Sequence, residues 1–366
     1  MNRPTILLNP GPVTLSERVR HALLHEDMCH REPDFAALML DIKARLAAVY
    51  APAQGRFDAI TITGSGTCAV EAMVASLAPK AATTLVVANG VYGERIAAML
   101  AAQRKPHAVI QSPWGDALDL PAVAERLRTD TAITHVVAVH NETTTGRLND
   151  IGTLADLCRD HGKWLMIDAV SSFGGERIDF AHPALLAAAA TGNKCLHGIV
   201  GIAFVLVRHD ALAAERSQSD SLYLDLFAYH LAQRIGFSPF TPAAHGCFAL
   251  QEALRELDET GGLEVRNARY RALSERIRSA LQGHGISLFL PASAYSSMIS
   301  SFRLPLGWSY ERLHDALRAD GFIIYAGQGD LQGSLFRVCT MGDLLDEDID
   351  RLLASFDRLL RRDPLC

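Results

Sequence analysis

From about residue 58 to residue 207 the sequence alternates short apolar runs with stretches of helical spacing, and this alternation constrains the fold more than any other feature. Asp58–Thr63, Thr84–Ala88, Ala108–Ile110, His135–Val139 and Trp164–Asp168 each read as a strand. The helical stretches between them lie near 67–77, 93–103, 120–128 and 154–161. Strand, helix, strand in that order implies an α/β layer with a mostly parallel sheet. In such sheets, ligand-binding groups gather beyond the carboxyl ends of the strands. After Gly261-Gly262 the pattern changes to β-α-β-β-α, with strands near 286–290, 297–304, 322–325 and 335–339 and helices near 309–320 and 345–361. A chain of 366 residues is too long for one small core, so a large and a small domain are expected.

Within that frame one lysine stands out. Thr191-Gly-Asn-Lys194-Cys-Leu-His-Gly198 is a short polar turn between two apolar runs, 185–190 and 201–207. Ammonium groups are seldom buried without a partner. Partial burial lowers a lysine's pKa and leaves free amine, as a Schiff-base lysine requires. Upstream, Trp164-Leu-Met-Ile-Asp168 is a hydrophobic strand ending in an acid, followed by small residues. Pyridoxal phosphate needs a lysine to attach to and a carboxylate to keep its ring nitrogen protonated. Lys194 and Asp168 fit those roles. A solvated loop lysine and a capping aspartate are the plainer alternatives.

Three weaker signals agree. Gly64-Ser65-Gly66-Thr67 joins a strand to a helix, so backbone amides and two hydroxyls face an anion at the positive helix end. It lacks the third glycine of a dinucleotide fingerprint and the Gly-Lys of a P-loop. Asn89-Gly-Val-Tyr92-Gly93 places an aromatic ring in a glycine turn at a strand end. Phe336-Arg337-Val338 puts a lone arginine in an apolar strand, a costly placement unless its planar fork meets an anion such as a carboxylate.

These motifs, with Asn9-Pro-Gly-Pro12, His140-Asn-Glu-Thr-Thr-Thr-Gly146, Ile167-Asp-Ala-Val-Ser-Ser-Phe-Gly-Gly175 and Asn193-Lys194-Cys195, run in the order of a known family. The chain resembles the class V aminotransferases of pyridoxal-phosphate fold type I. Within that group it is most similar to the branch using an aminophosphonate donor, with alanine– and serine–glyoxylate aminotransferases as cousins. The resemblance implies a seven-stranded, mostly parallel sheet between helices in a large domain, 16–255. Residues 1–15 and 256–366 would form a smaller α+β domain with an N-terminal active-site segment. It implies Lys194 and Asp168 as catalytic groups, and Ser65, Gly66 and Thr67 around the cofactor phosphate. Tyr92 would stack on the ring, and Thr143 would hold its phenolic oxygen or orient Asp168. Val170 and Asn193 are further cofactor contacts. Thr241 would reach a neighbouring subunit's phosphate across a homodimer interface that carries the active sites. Gly11, Thr14 and Arg337 would hold the substrate, and no metal is expected. The implied reaction moves an amino group from an aminophosphonate to pyruvate. Two positions depart from that branch: Gly236-Phe-Ser-Pro239 stands where a tryptophan and an arginine are common, and Gly327-Gln328 replaces Gly-Lys.

A net charge of −6 argues against a nucleic-acid surface. No apolar run reaches membrane-spanning length, and the N-terminal apolar stretch is short for a signal peptide, so a cytoplasmic protein is expected. Seven scattered cysteines without metal spacing read as reduced thiols. A cysteine desulfurase would need a mobile cysteine, whereas Cys339 falls in a strand. A nucleotide-binding dehydrogenase would need the missing fingerprint, and a non-catalytic protein would need neither Lys194 nor Asp168.

Overall fold

The computed structural model describes residues 5–213 and 216–362. In chain order it runs β1 (Ile6–Leu7), α1 (Glu17–His21), α2 (Pro33–Ala48), β2 (Phe57–Gly64), α3 (Gly66–Leu77), β3 (Thr83–Ala88), α4 (Val91–Ala102), β4 (His107–Gln111), α5 (Leu120–Thr129) and β5 (Ile133–Val139). A short ribbon of β6 (Asn141–Glu142) and β7 (Arg147–Leu148) precedes α6 (Ile151–Asp160), β8 (Trp164–Asp168), β9 (Leu185–Thr191) and β10 (Gly201–Arg208). Then come α7 (His209–Ala213), α8 (Leu226–Gln233), α9 (Ala244–Glu259), α10 (Gly262–Gly283), β11 (Ile299–Arg303), α11 (Tyr310–Ala319), β12 (Phe322–Ile323), β13 (Tyr325–Ala326), β14 (Leu335–Cys339) and α12 (Asp346–Arg362).

The central sheet has seven strands in the order β2-β10-β9-β8-β5-β3-β4. From β9 to β4 the pairings are parallel, while β10 pairs antiparallel with both β9 and β2. β10 therefore runs against the rest. The reason is length: only residues 192–200 join β9 to β10, too few for a crossover helix. Successive residues of each strand feed opposite cores. Ala59, Leu85, Val136, Ile167 and Phe204 pack with α2, α5, α6 and α9. Ile60, Val86, Val137, Met166 and Val205 pack with α3, α4 and α8. A sheet covered on both faces explains why the sequence shows continuous apolar runs and not alternation.

The C-terminal part forms a three-stranded sheet, β11-β14-β13, packed with α10, α11 and α12 through Phe302, Phe336, Leu317 and Phe356. β1 joins this part of the chain by pairing in parallel with β12. Two expectations need revision. The strand expected near 286–290 is a single bridge, Leu288 to Phe302. Phe289 N–H keeps its ladder bond to Ser301 O at 3.0 Å, but the Tyr295 hydroxyl accepts the Leu290 N–H at 2.9 Å and Pro291 has no N–H with which to extend the ladder. The strand expected over 322–325 is divided, β12 pairing with β1 and β13 with β14. Among the described residues no helix is long and apolar enough to cross a membrane, and no cluster of potential metal ligands occurs.

Candidate active site

The carboxyl ends of β2, β3, β5, β8 and β9 share one edge of the sheet, and the loops leaving them carry the residues singled out from the sequence. Lys194 lies in the turn between β9 and β10. That turn closes on itself: Gly198 N–H donates to Gly192 O at 2.8 Å, and His197 N–H to Lys194 O at 2.9 Å. Asn193 is buried, and its side-chain oxygen accepts from the Thr191 hydroxyl at 2.8 Å. His197 ties the turn to the C-terminal sheet. Its Nε2 accepts the Gly342 N–H at 2.9 Å and the Tyr270 hydroxyl at 2.5 Å, and burial keeps the ring neutral, with a pKa well below 6.5.

The N-terminal segment closes over the lysine. Lys194 Nζ donates to the Pro10 carbonyl oxygen. A Cβ on Gly11, whose φ is +99°, would lie 2.6 Å from Lys194 Cδ and 2.7 Å from Nζ, so only glycine fits. Burial pushes the Lys194 amine below its ordinary 10.5, and nearby Arg337 acts the same way while Asp168 opposes. Thr14 has a bracing part in this segment. Its hydroxyl accepts the Leu7 N–H at 2.9 Å and its carbonyl accepts the Asp343 N–H at 2.9 Å.

Asp168 ends β8 with only 6% of its surface exposed. Oδ1 accepts the Val170 N–H at 2.9 Å, and among the described residues no cation lies within 4.0 Å of the carboxyl group. Burial raises its pKa to about 6, with the Val170 N–H and the charges of Arg95 and Lys194 pulling the other way. Val170 packs on Gly66, where an added Cβ would meet Val170 Cγ1 at 2.6 Å. Gly66 therefore lets the start of α3 approach the end of β8. Ser65, at the cap of α3, makes no side-chain capping bond, and both Ser65 and Thr67 are exposed.

Thr143 is a junction. Its hydroxyl bonds the Ser171 hydroxyl at 2.7 Å, and its carbonyl accepts from Arg337 Nη1 at 2.7 Å. It thus braces the segment after Asp168 and does not bond Asp168 itself. Arg337 is 4% exposed, and its Nε donates to Ala326 O at 2.9 Å. Its Nη2 makes no bond to any described residue. Tyr92, half-buried, lies at the start of α4. Thr241 is exposed in the single chain and lies beside Thr63, Tyr223 and Phe240, away from the lysine turn.

Sequence reasoning missed several contributors. Glu142 is fully buried, its Oε1 accepting from the Thr144 hydroxyl at 2.6 Å and its Oε2 without a partner. Burial raises its pKa to about 7. Its carboxyl packs against Gly90, where a Cβ would fall 2.4 Å away, so it shapes the turn that presents Tyr92. The signal available was an acid inside an otherwise uncharged strand-end motif. The Pro10 carbonyl, His197 and Tyr270 carried no signal, because their roles depend on long-range contacts.

The residues present fit pyridoxal phosphate. Asp168 is a buried carboxyl group lacking a cation, Lys194 an amine that burial drives toward its free form, and Arg337 a buried fork with one nitrogen unused. Gly66, the Ser65 hydroxyl and the Thr67 hydroxyl, which accepts only a long contact from Arg95 Nη1, leave an anion cradle at the N-terminus of α3.

Comparison with known proteins gives the same answer independently. Residues 17–332 match the family model described as aminotransferase class-V. The 2-aminoethylphosphonate–pyruvate transaminase of Klebsiella pneumoniae is 35% identical over 366 residues, covering 98% of either chain. Among solved structures, alanine–glyoxylate aminotransferase from Nostoc superposes with a TM-score of 0.90 at 26% identity, covering 99% of this chain and 96% of that one. Pyridoxamine–pyruvate aminotransferase from Mesorhizobium loti gives 0.89 at 26% identity, covering 98% and 92%.

Proposed function

The chain belongs to the class-V aminotransferase family, with pyridoxal phosphate as cofactor, and from that premise we propose that it moves the amino group of 2-aminoethylphosphonate to pyruvate, forming phosphonoacetaldehyde and L-alanine. The observation that supports the chemistry is a buried lysine under the Pro10 carbonyl, with Asp168 and Arg337 near enough for their charges to act on its amine. Full-length similarity to the Klebsiella transaminase supports the choice of donor.

When bound, the cofactor supplies an aldehyde for the amino group and a cationic ring that stabilises negative charge at the donor carbon. The protein's part follows from its residues. Lys194 Nζ would anchor the cofactor, and its free amine would take a proton from the donor carbon and return it within the site. Burial lowers its pKa and so favours the free base more than an exposed lysine would. Asp168 would keep the ring nitrogen protonated. Tyr92 offers a flat face, Thr143 and Asn193 keep the walls in place, and Ser65, Gly66 and Thr67 hold the phosphate. Arg337 Nη2, with backbone groups near Gly11 and Thr14, holds the anionic end of donor and acceptor.

Two features of organisation belong to this reading. The chain divides into residues 16–255 and the combination of 1–15 with 256–366, which the β1–β12 pairing supports. Two copies form a dimer in the cytoplasm, with Thr241 reaching the partner's phosphate; its exposure in one chain and apolar Leu231 and Ile235, 55% and 66% exposed, support a covered face.

A second reading, transfer to glyoxylate from alanine or serine, draws on Gln328 and Gly236–Pro239, where basic residues are missing, and on the fit to the Nostoc enzyme. The test is alanine formation from pyruvate with 2-aminoethylphosphonate, run beside alanine and serine with glyoxylate. A phosphonate rate well above the others supports the first reading. A glyoxylate preference overturns it and installs the second.

A further inference from the structure

Arg95 is a cation without an anion. It lies one turn after Tyr92 in α4, and its guanidinium carbon sits 4.7 Å from the centre of the Tyr92 ring. Nη1 reaches the Thr67 hydroxyl at 3.5 Å, a long contact. No carboxylate lies within 4.0 Å of it among the described residues. The acid beside it in sequence, Glu94, is already engaged by Gln111 and by the Trp114 indole at 3.0 and 2.7 Å.

The cradle needs such a group. Ser65, Gly66 and Thr67 offer hydroxyls and the amides of a helix N-terminus, worth about half a charge. A phosphate monoester carries about −1.5 to −2 near neutral pH. The two buried acids nearby, Asp168 and Glu142, make the recess less welcoming to that charge. Lys194 rests on Pro10 O, and Arg337, bonded to Ala326 O and Thr143 O, keeps only Nη2, which the substrate reading assigns elsewhere. Among the described residues Arg95 is the cation with a hydrogen-bond contact to the cradle, and its charge is felt by Asp168 and Tyr92.

We infer that Arg95 is a positioning residue for the cofactor phosphate: from its place over the Tyr92 ring it reaches the Thr67 hydroxyl and sets its charge beside the phosphate that Ser65, Gly66 and Thr67 would hold. The inference rests on the assignment of pyridoxal phosphate to this recess. The planar fork suits the cation–π contact and phosphate oxygens alike, so the one side chain can rest on Tyr92 and point its nitrogens at the cradle.

The test is equilibrium binding to the cofactor-free protein, followed by absorbance, for pyridoxal phosphate and for pyridoxal, which lacks the phosphate. Arg95→Met is expected to weaken pyridoxal phosphate about tenfold or more, the scale of a lost charged hydrogen bond, and to leave pyridoxal within about twofold. Arg95→Lys, which keeps the charge, is expected to retain most of the affinity. If Arg95→Met binds pyridoxal phosphate as wild type does, or loses pyridoxal equally, the inference is overturned. Should Arg95→Met fail to fold, an Arg95→Lys protein that loses both ligands alike has the same consequence. Failure of the wild-type protein to bind pyridoxal phosphate on Lys194 would instead defeat the underlying reading, whatever Arg95 does.

Discussion

Lys105 and Lys194 are both buried amines seated on backbone carbonyls, and in both burial lowers the pKa. Lys105 Nζ donates to Ala75 O and Ala78 O at 2.6 and 2.5 Å, closing the last turn of α3, and its pKa is pushed down to about 8 by burial and then by Lys80. Lys194 rests on the single carbonyl of Pro10. The difference lies in the company. Around Lys105 the amine's partners are two helix-end carbonyls, and no acid pairs with it among the described residues. Around Lys194 stand Asp168 without a cation, Arg337 with a free nitrogen, and a glycine pressed against the lysine stem. A depressed lysine pKa is therefore no mark of a site by itself. What marks one is a set of groups each left incomplete and facing the same space.

Substitution can break that contrast. Lys194→Ala should cut alanine formation by about 10³-fold or more, the scale of a lost proton-transfer group, and abolish borohydride fixation of the cofactor. Lys105→Met should leave both within about twofold; loss of cofactor attachment there would end the comparison. Next in size, Arg337→Ala should lower kcat/KM about 10²-fold, as removal of a charged hydrogen bond to a substrate anion does, with most of the effect in KM. An unchanged KM would move the anion clamp elsewhere.

Smaller effects concern stability. Lys105→Met strands two helix-end carbonyls and should cost roughly 2–3 kcal/mol in urea unfolding. Its pH signature has a definite sign. The folded pKa of about 8 lies below the ordinary 10.5, so the unfolded chain binds more protons between those values. Stability should rise across that window in the wild-type protein, and the rise should shrink in the variant. Asp168 behaves in the mirror sense. Its folded pKa of about 6 lies above the ordinary 3.8, so burial costs stability that appears as pH rises through that interval and persists above it. Asp168→Asn should stabilise the cofactor-free protein by about 1–2 kcal/mol at pH 7, with no gain below about pH 4, while weakening cofactor binding. A variant less stable than wild type at pH 7 would mean that Asp168 is not strained in the empty site.

Much of this was legible before folding. The alternation over 58–207 implied the α/β layer, because strands covered on both faces must be apolar throughout. Lys194 and Asp168 stood out as charges at the ends of apolar runs, and Arg337 as a charge inside one. Such placements are costly enough to need a reason. The direction of β10 was not legible as a pattern, although the short β9–β10 link carries it. The strand expected at 286–290 stops short because Tyr295, in the loop beyond, takes the Leu290 amide, a contact no local pattern announces.

The sequence by itself determined which residues are too polar or too small for their surroundings: Lys194, Asp168, Arg337 and Gly66. Only the tertiary structure brings the charges of Asp168 and Arg337 to bear on Lys194 and packs Gly66 against Val170, two residues after Asp168. It seats Pro10 on the lysine, lets Thr143 bridge Ser171 and Arg337, leaves Glu142 half-satisfied behind Tyr92, and rests Arg95 on that ring. The physical reason is range. Apolar periodicity and lone charges are local properties of the chain, whereas a hydrogen bond from Arg337 to Thr143 joins positions 194 residues apart, and only the packed sheets bring them together.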